Sequence, residues 1–210
     1  AIILYPPSMR EHFIPIQLNP RDEALFRIHN CGNCKGFESL IRDGRVLEEG
    51  YVIQLITKGR GVFASEPSNF ETFEGETLIL SRPGVWQAFG PQPGTAMDHT
   101  YVHFSGQLPS VLLEELNGQG RDIISMKVSR LYRRTFSNIC RLVQLKSRKE
   151  VHQAHALTYE LIIETISLFH HQLPASSRPI IDEFMTYLSK QLHALELDLE
   201  GFLKPRDFTR

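Results

Sequence analysis

The sequence predicts an α+β chain: a block of short antiparallel strands forming a sandwich or barrel, followed by helices. Three observations carry this. From residue 24 to 105, short apolar runs rich in Val, Ile, Tyr, Phe and Thr are closed by Gly and Pro, as in GYVIQLITKGRGVFAS, FETFEGETLILSRPG and HTYVHFSG. Such punctuation marks strands joined by tight turns. After Gly106 the punctuation thins and apolar residues recur every three or four positions, the period of a helix face. Residues 1–20 hold Pro6, Pro7, Pro15 and Pro20, which remove backbone donors, so an extended arm is expected there and neither a helix nor a central strand.

The elements follow in order. Residues 1–20 are the arm and 21–106 the strand block; residues 107–173 are helical. Within the last, Val128, Leu131, Tyr132, Phe136, Ile139, Cys140 and Val143 line one face of a helix from Lys127 to Lys146, with Arg130, Arg133, Arg134 and Arg141 opposite. That basic face lacks interleaved aromatic residues and reads as a solvated surface. A second helix, Val151 to Leu173, carries Leu157, Leu161, Ile162, Ile166, Phe169 and Leu173, while Ile163 and Leu168 fall outside this stripe. Apolar residues on more than one face suggest burial on two sides, against the strand block and against a second copy of the chain. The alternative is that the strand block covers all of this surface. PASSRP, residues 174–179, ends the helix and is the expected linker, and a third helix is expected from Ile180 to about His193.

Composition sets the outer bounds. With 210 residues and 41 % hydrophobic content, one core and an appendage are expected. The 23 Lys and Arg against 24 Asp and Glu give a formal net charge of −1, which argues against a free-standing nucleic-acid-binding protein of the usual basic kind. No apolar run reaches the roughly 18 residues that would span a bilayer, and Ala1 to Tyr5 lacks the basic flank of a signal peptide. Three cysteines, an odd count, argue against a secreted disulfide framework, so a cytoplasmic protein in a reducing environment is expected. Cys31 and Cys34 have the spacing of a zinc or redox pair, yet no second pair or nearby His-x-His completes a ligand set. They read as reduced thiols at a strand end.

From Tyr51 to Gly106 the motifs GYVIQLITKGRGVF, FEGETLIL, RPGVWQAFGP and HTYVHFSG resemble, in order and spacing, the sensing domain of AraC-type transcription regulators. The resemblance implies a cupin-like antiparallel β-barrel, a jelly roll, followed by an α-helical dimerisation region. It extends past the linker, where IIDEFMTYLSKQLHALELDLEGF is similar to the opening of the family's helix-turn-helix DNA-binding domain. Residues 180–210 are expected to be only the start of that domain, so DNA contact is expected through a C-terminal part that this chain lacks.

Cupin-like barrels that hold a catalytic metal use a His-x-His pair, a carboxylate and a later His. GRGVFASEPSNFETFEGE contains no histidine, and the later strand carries Gln87 where such an enzyme has His, so no metal, no cofactor and no catalysis are expected. By resemblance to the sugar-binding relative, the ligand-binding positions are Arg45 near the mouth, Phe89, His99 and Tyr101. Phe89 stands where that relative has a tyrosine. Strand alternation supports the set, since His99, Tyr101 and His103 share one face and Thr100, Val102 and Phe104 the other. An arginine can hold two hydroxyls or a carboxylate, and the rings can stack on a sugar's apolar face. Arg42 competes with Arg45 for this role, and Trp86 either caps the pocket or anchors its strand. The expected partners are a small-molecule effector, sugar-like or carboxylate, and a second copy of the chain meeting it through Leu157, Leu161 and Glu164. The expected function is effector sensing that controls bacterial gene expression. The alternatives are a regulator domain answering to a protein partner or a physical signal, and a cupin enzyme.

Overall fold

The computed structural model describes residues 9–13, 25–38, 44–117, 122–145 and 147–171. The chain divides into two compact units, 1–166 and 167–210. The architecture that follows is that of the first; of the second, the described residues are only the end of a helix. The linker at 174–179, the third helix, the start of the helix-turn-helix domain, Arg42 and most of the arm lie outside the described residues.

Among the described residues the strands before the first long helix are β1 (Met9–Phe13), β2 (Arg27–Phe37), β3 (Arg45–Val46), β4 (Tyr51–Lys58), β5 (Arg60–Ala64), β6 (Glu71–Glu74), β7 (Thr77–Ser81), β8 (Trp86–Pro91) and β9 (Met97–Ser105). Helix α1 (Gln107–Asn117), strand β10 (Ile123–Ser125) and helices α2 (Arg130–Leu145) and α3 (Arg148–His171) follow among the described residues. Turn chemistry sets the strand ends. Between β8 and β9, Thr95 N–H reaches the Gln92 carbonyl at 3.0 Å across Pro93-Gly94, with Gly94 at φ 77° in the left-handed region that this turn requires.

The strands form two antiparallel sheets, β1-β2-β9-β4-β7-β10 and β3-β8-β5-β6. No hydrogen-bonded ladder among the described residues joins them, so the closed barrel that the sequence suggests is instead a sandwich of two open sheets. The physical reason lies at the edges: β3 is two residues long and β6 four, and neither continues the ladder onto β1 or β10. Side-chain packing does what pairing does not, since Cys34, Phe37, Ile56, Ile79 and Met97 of the larger sheet form one buried cluster with Phe63, Phe73 and Phe89 of the smaller.

The larger sheet is largely buried on both faces. Its outer face carries Ile28, Cys31, Tyr51, Ile53, Leu78, Leu80, Val102 and Phe104, all buried, and α2 lies across β1, β2 and β9. This double burial is why β4 reads as an almost unbroken apolar run instead of an alternating one. Strand β10, inside the segment expected to be helical, extends the sheet by pairing Ile123 to Ser125 with β7. Three residues are too few to show a period of two, so its strand character comes from that pairing.

Helix α2 starts at Arg130 because Ser129 caps it, its hydroxyl accepting Tyr132 N–H at 2.9 Å. Glu76 anchors the approach: its carboxylate accepts Val128 N–H at 3.0 Å and pairs with Arg133 at 2.9 Å. Tyr132, Phe136, Ile139, Cys140 and Val143 are buried, whereas Leu131, placed on the same face by the sequence reading, is 69 % exposed. It lies about 100° round the helix from Tyr132. The Tyr132 hydroxyl meets Thr165 Oγ1 of α3 at 2.7 Å, both groups being buried. Tyr132→Phe is expected to lower stability by about 1 kcal/mol without changing the fold, read as a reduced midpoint at constant slope in urea unfolding.

Candidate functional site

The space between the sheets holds an unusual set of polar side chains, positioned by cross-strand register. In β4 and β9, Val52 faces His103, Gln54 faces Tyr101 and Ile56 faces His99. In the smaller sheet Phe63 faces Phe89 and Arg45 faces Gln87. Because pleated strands alternate, Gln54, His99, Tyr101, His103, Arg45, Gln87 and Phe89 project toward one interior. One end of that interior is the apolar cluster around Phe37, Phe63 and Phe89. The other is polar and lies near the turn from β3 into β4.

His99 stands between the two ends. Its ring meets Phe37 edge-on at 5.2 Å and Phe89 at 6.2 Å, with Tyr101 at 6.2 Å. Only 2 % of it is exposed, and Nδ1 has no hydrogen-bond partner. Gln54, 3 % exposed, and Gln87, 2 % exposed, each present a buried amide nitrogen without a partner, as does Arg45 at Nε. Leaving one such group unsatisfied costs about 1–3 kcal/mol.

The rim is wired differently. His103 Nε2 donates to the Glu49 carbonyl at 2.9 Å, and its ring stacks on His29 at 4.5 Å. His29 Nε2 lies 2.8 Å from Ser105 Oγ, which donates to the Glu49 carboxylate at 3.2 Å. Burial pushes His103 below its usual value; the nearby Arg45 guanidinium adds to this, and the Glu49 carbonyl and carboxylate oppose it.

The remaining sequence candidates fall elsewhere. Trp86 is one residue from Gln87 and three from Phe89, so the pleat turns it to the opposite face of the smaller sheet, away from the interior. There its ring lies flat against Gly44, where a Cβ would stand 2.1 Å from it. Cys31 and Cys34 are likewise three apart in β2, and they sit within the strand and not at its end. Cys34 joins the apolar cluster between the sheets, whereas Cys31 faces α2, where the Cys140 thiol beside it and burial push its own thiol up. The pair therefore cannot share one ion. In α3, Leu161 is fully buried by this chain itself, Glu164 receives Ser129 Oγ at 3.5 Å, and Leu157 is half-buried. Among the described residues, no group of three His, Cys, Asp or Glu side chains is placed to hold a metal ion, and no helix is long and apolar enough to cross a membrane.

A family model described as the AraC-like ligand binding domain matches residues 44–162, more than half of the chain. The chain belongs to the AraC-like ligand-binding domain family. The match spans the smaller sheet, β4, β7, β9 and most of the helical region, and thus every described residue of the polar interior. Solved structures similar to this AraC-like domain are the protein YhaK from Escherichia coli (8 % identity, 59 % of this chain and 53 % of that one, TM-score 0.40) and a cupin-like protein from Thermotoga maritima (11 % identity, 61 % and 82 %, TM-score 0.33). A third is the EutQ protein of Clostridium difficile, with 14 % identity over 49 % of this chain and 64 % of that one and a TM-score of 0.32. The chain spans about half the length of the YhaK chain. No curated protein sequence matches it.

Sequence reasoning missed Gln54 and treated Gln87 only as a missing metal ligand. A signal for the first was present: Gln54 is the one polar residue inside the run YVIQLI. His103 was placed on the correct face but not assigned to the AraC-like site.

Burial lowers the His99 pKa from 6.5 to about 4, with the Asp98 carboxylate opposing. The folded state therefore takes up this proton less readily than the unfolded chain. The stability this contributes is fully present above pH 6.5 and is lost as pH falls toward 4, an effect of roughly 3 kcal/mol. Urea midpoints at pH 7.5 and 4.5 should differ by more for the native chain than for His99→Gln. His103, shifted in the same direction, contributes equally to both proteins and cancels in the comparison.

Proposed function

We propose that this chain is the effector-sensing and dimerisation part of an AraC-type transcription regulator, binding a small molecule between its two sheets. The observation that carries the reading is the set of partnerless buried atoms, Gln54 Nε2, Gln87 Nε2, His99 Nδ1 and Arg45 Nε, facing one interior beside an apolar cluster. An apolar hollow with a few convergent polar groups is the general form of a small-molecule site. Gene control itself belongs to the helix-turn-helix domain that residues 180–210 resemble; this chain supplies the sensing and the pairing.

Two substitutions test the sensing. Gln54→Leu and Gln87→Leu replace an unsatisfied amide with an apolar side chain of similar size, so each should raise the Tm of the unliganded chain by about 2–6 °C. Each should also remove the Tm response to compounds that stabilise the native protein in a thermal-shift screen of small metabolites. A structural role would lower Tm instead. A screen with no stabilising compound would refute the sensing and favour control by a protein partner.

Pairing rests on α3. Ala156 is exposed and Ile163 half-buried on the side away from Leu161, and Leu157 is half-buried nearer to Leu161; a second copy would cover these apolar side chains about a two-fold axis. In sedimentation the native chain should run as a dimer and Leu157→Glu as a folded monomer. Dimers that persist in Leu157→Glu would place the interface elsewhere.

A further inference from the structure

Among the unpartnered buried atoms of the interior, one belongs to a charged group, Arg45. Arg45 is a guanidinium that donates from every nitrogen and accepts nothing. It faces Gln87 across β3 and β8, and its charge is felt at His103. Among the described residues no carboxylate lies within ion-pair distance of it. By contrast, Arg60, Arg82 and Arg133 each have one at 2.9 Å. The Glu49 carboxylate at the rim is engaged by Ser105 Oγ.

Gln54 and Gln87 add two amide groups whose buried nitrogens have no acceptor. At the apolar end the lining is Phe37, Phe63, Phe89, Ile56 and Met97. A neutral polyol brings no charge to set against the guanidinium. A carboxylate brings only acceptors, and its two oxygens match the fork of a guanidinium. We infer that the site takes a small monocarboxylate, its anionic head held by Arg45 with the Gln87 and Gln54 amides and its apolar body lying toward Phe89 and Phe37.

This assignment rests on the sensing role proposed above, and the experiment separates the two. The full chain is titrated, with thermal shift and calorimetric readout, with aliphatic and aromatic monocarboxylates of two to eight carbons, with the neutral amide of each, and with pentoses and hexoses. At least one carboxylate should raise Tm by about 3–5 °C at ten times its Kd, and its amide should bind at least about tenfold more weakly. Arg45→Met, which keeps the apolar stem, should weaken the carboxylate about 10- to 100-fold, and Arg45→Lys should recover part of the loss. The Tm of both unliganded variants shows whether they remain folded. Sugars or amides that bind in place of carboxylates, or carboxylate binding that survives Arg45→Met in a folded variant, would overturn the anion assignment and leave sensing intact. Silence from all three series would overturn both.

Discussion

The pleat of β9 is the constraint on which the rest depends. This strand is hydrogen-bonded on both sides, to β2 and to β4, so it cannot rotate or slip without breaking two ladders. A shift of one residue would exchange its faces, sending His99, Tyr101 and His103 outward and Val102 and Phe104 inward. Irregularities in the ladders sit at the ends and not in the middle: between Ile28 and Asn30 and between Cys34 and Phe37 in β2, and between Ile56 and Lys58 in β4. The stretch from Thr100 to His103 keeps strict register, and a buried Thr100 hydroxyl donating to the Gly32 carbonyl at 3.0 Å pins it. The polar interior and the helix-covered exterior are thus two readings of one strand.

Several buried polar groups elsewhere in the first unit have partners that tie its elements together. Thr158 and Thr165 are fully buried on α3, and each hydroxyl donates to the carbonyl four residues earlier, at 2.8 and 2.7 Å. Arg82 and Asp122 form a buried ion pair at 2.9 Å that ties the end of β7 to the approach of β10, and burial raises the Asp122 carboxyl while Arg82 opposes it. Charges that join elements are paired. Arg45, at the edge of the smaller sheet, has no carboxylate within ion-pair distance among the described residues, and the buried amide nitrogens of Gln54 and Gln87 have no partner. A buried polar group without a partner is costly, and the recognition proposed above would supply one here.

Much of this was legible in the sequence because turn chemistry and alternation are local. Gly and Pro placed most strand ends, and the spacing of His99, Tyr101 and His103 put them on one face before any coordinates. The resemblance singled out Arg45 and Phe89, which the structure brings to the same interior. What was not legible is what depends on distant partners. The edges that keep the sheets open, the short β10, and the burial of Leu161 by its own chain are all settled by packing between segments far apart in sequence. Trp86 and the two cysteines are a different case. Each lies three residues from the neighbour it was grouped with, and an odd spacing within a strand separates side chains to opposite faces. The same alternation that grouped the residues of β9 would have separated these.

The placement of β9 also fixes the distance a signal must cover. The interior site and the helices share this strand as a common wall, so a change in how His99, Tyr101 and His103 are packed reaches the other layer through one thickness of sheet. On the far side Phe104 stacks with Tyr51 at 6.2 Å and Phe26 at 6.0 Å, and Phe26 meets His155 of α3 edge-on at 5.2 Å. These rings are close-packed, and close-packed interfaces accommodate displacement by switching between arrangements more readily than by deforming smoothly. A ligand biases such a switch only by the difference in its affinity for the two arrangements. In the sensing role proposed above, side chains whose hydrogen bonds a ligand completes would supply that difference directly. The unpartnered atoms that motivate the proposed sensing would therefore also be the ones that give occupancy an energetic consequence.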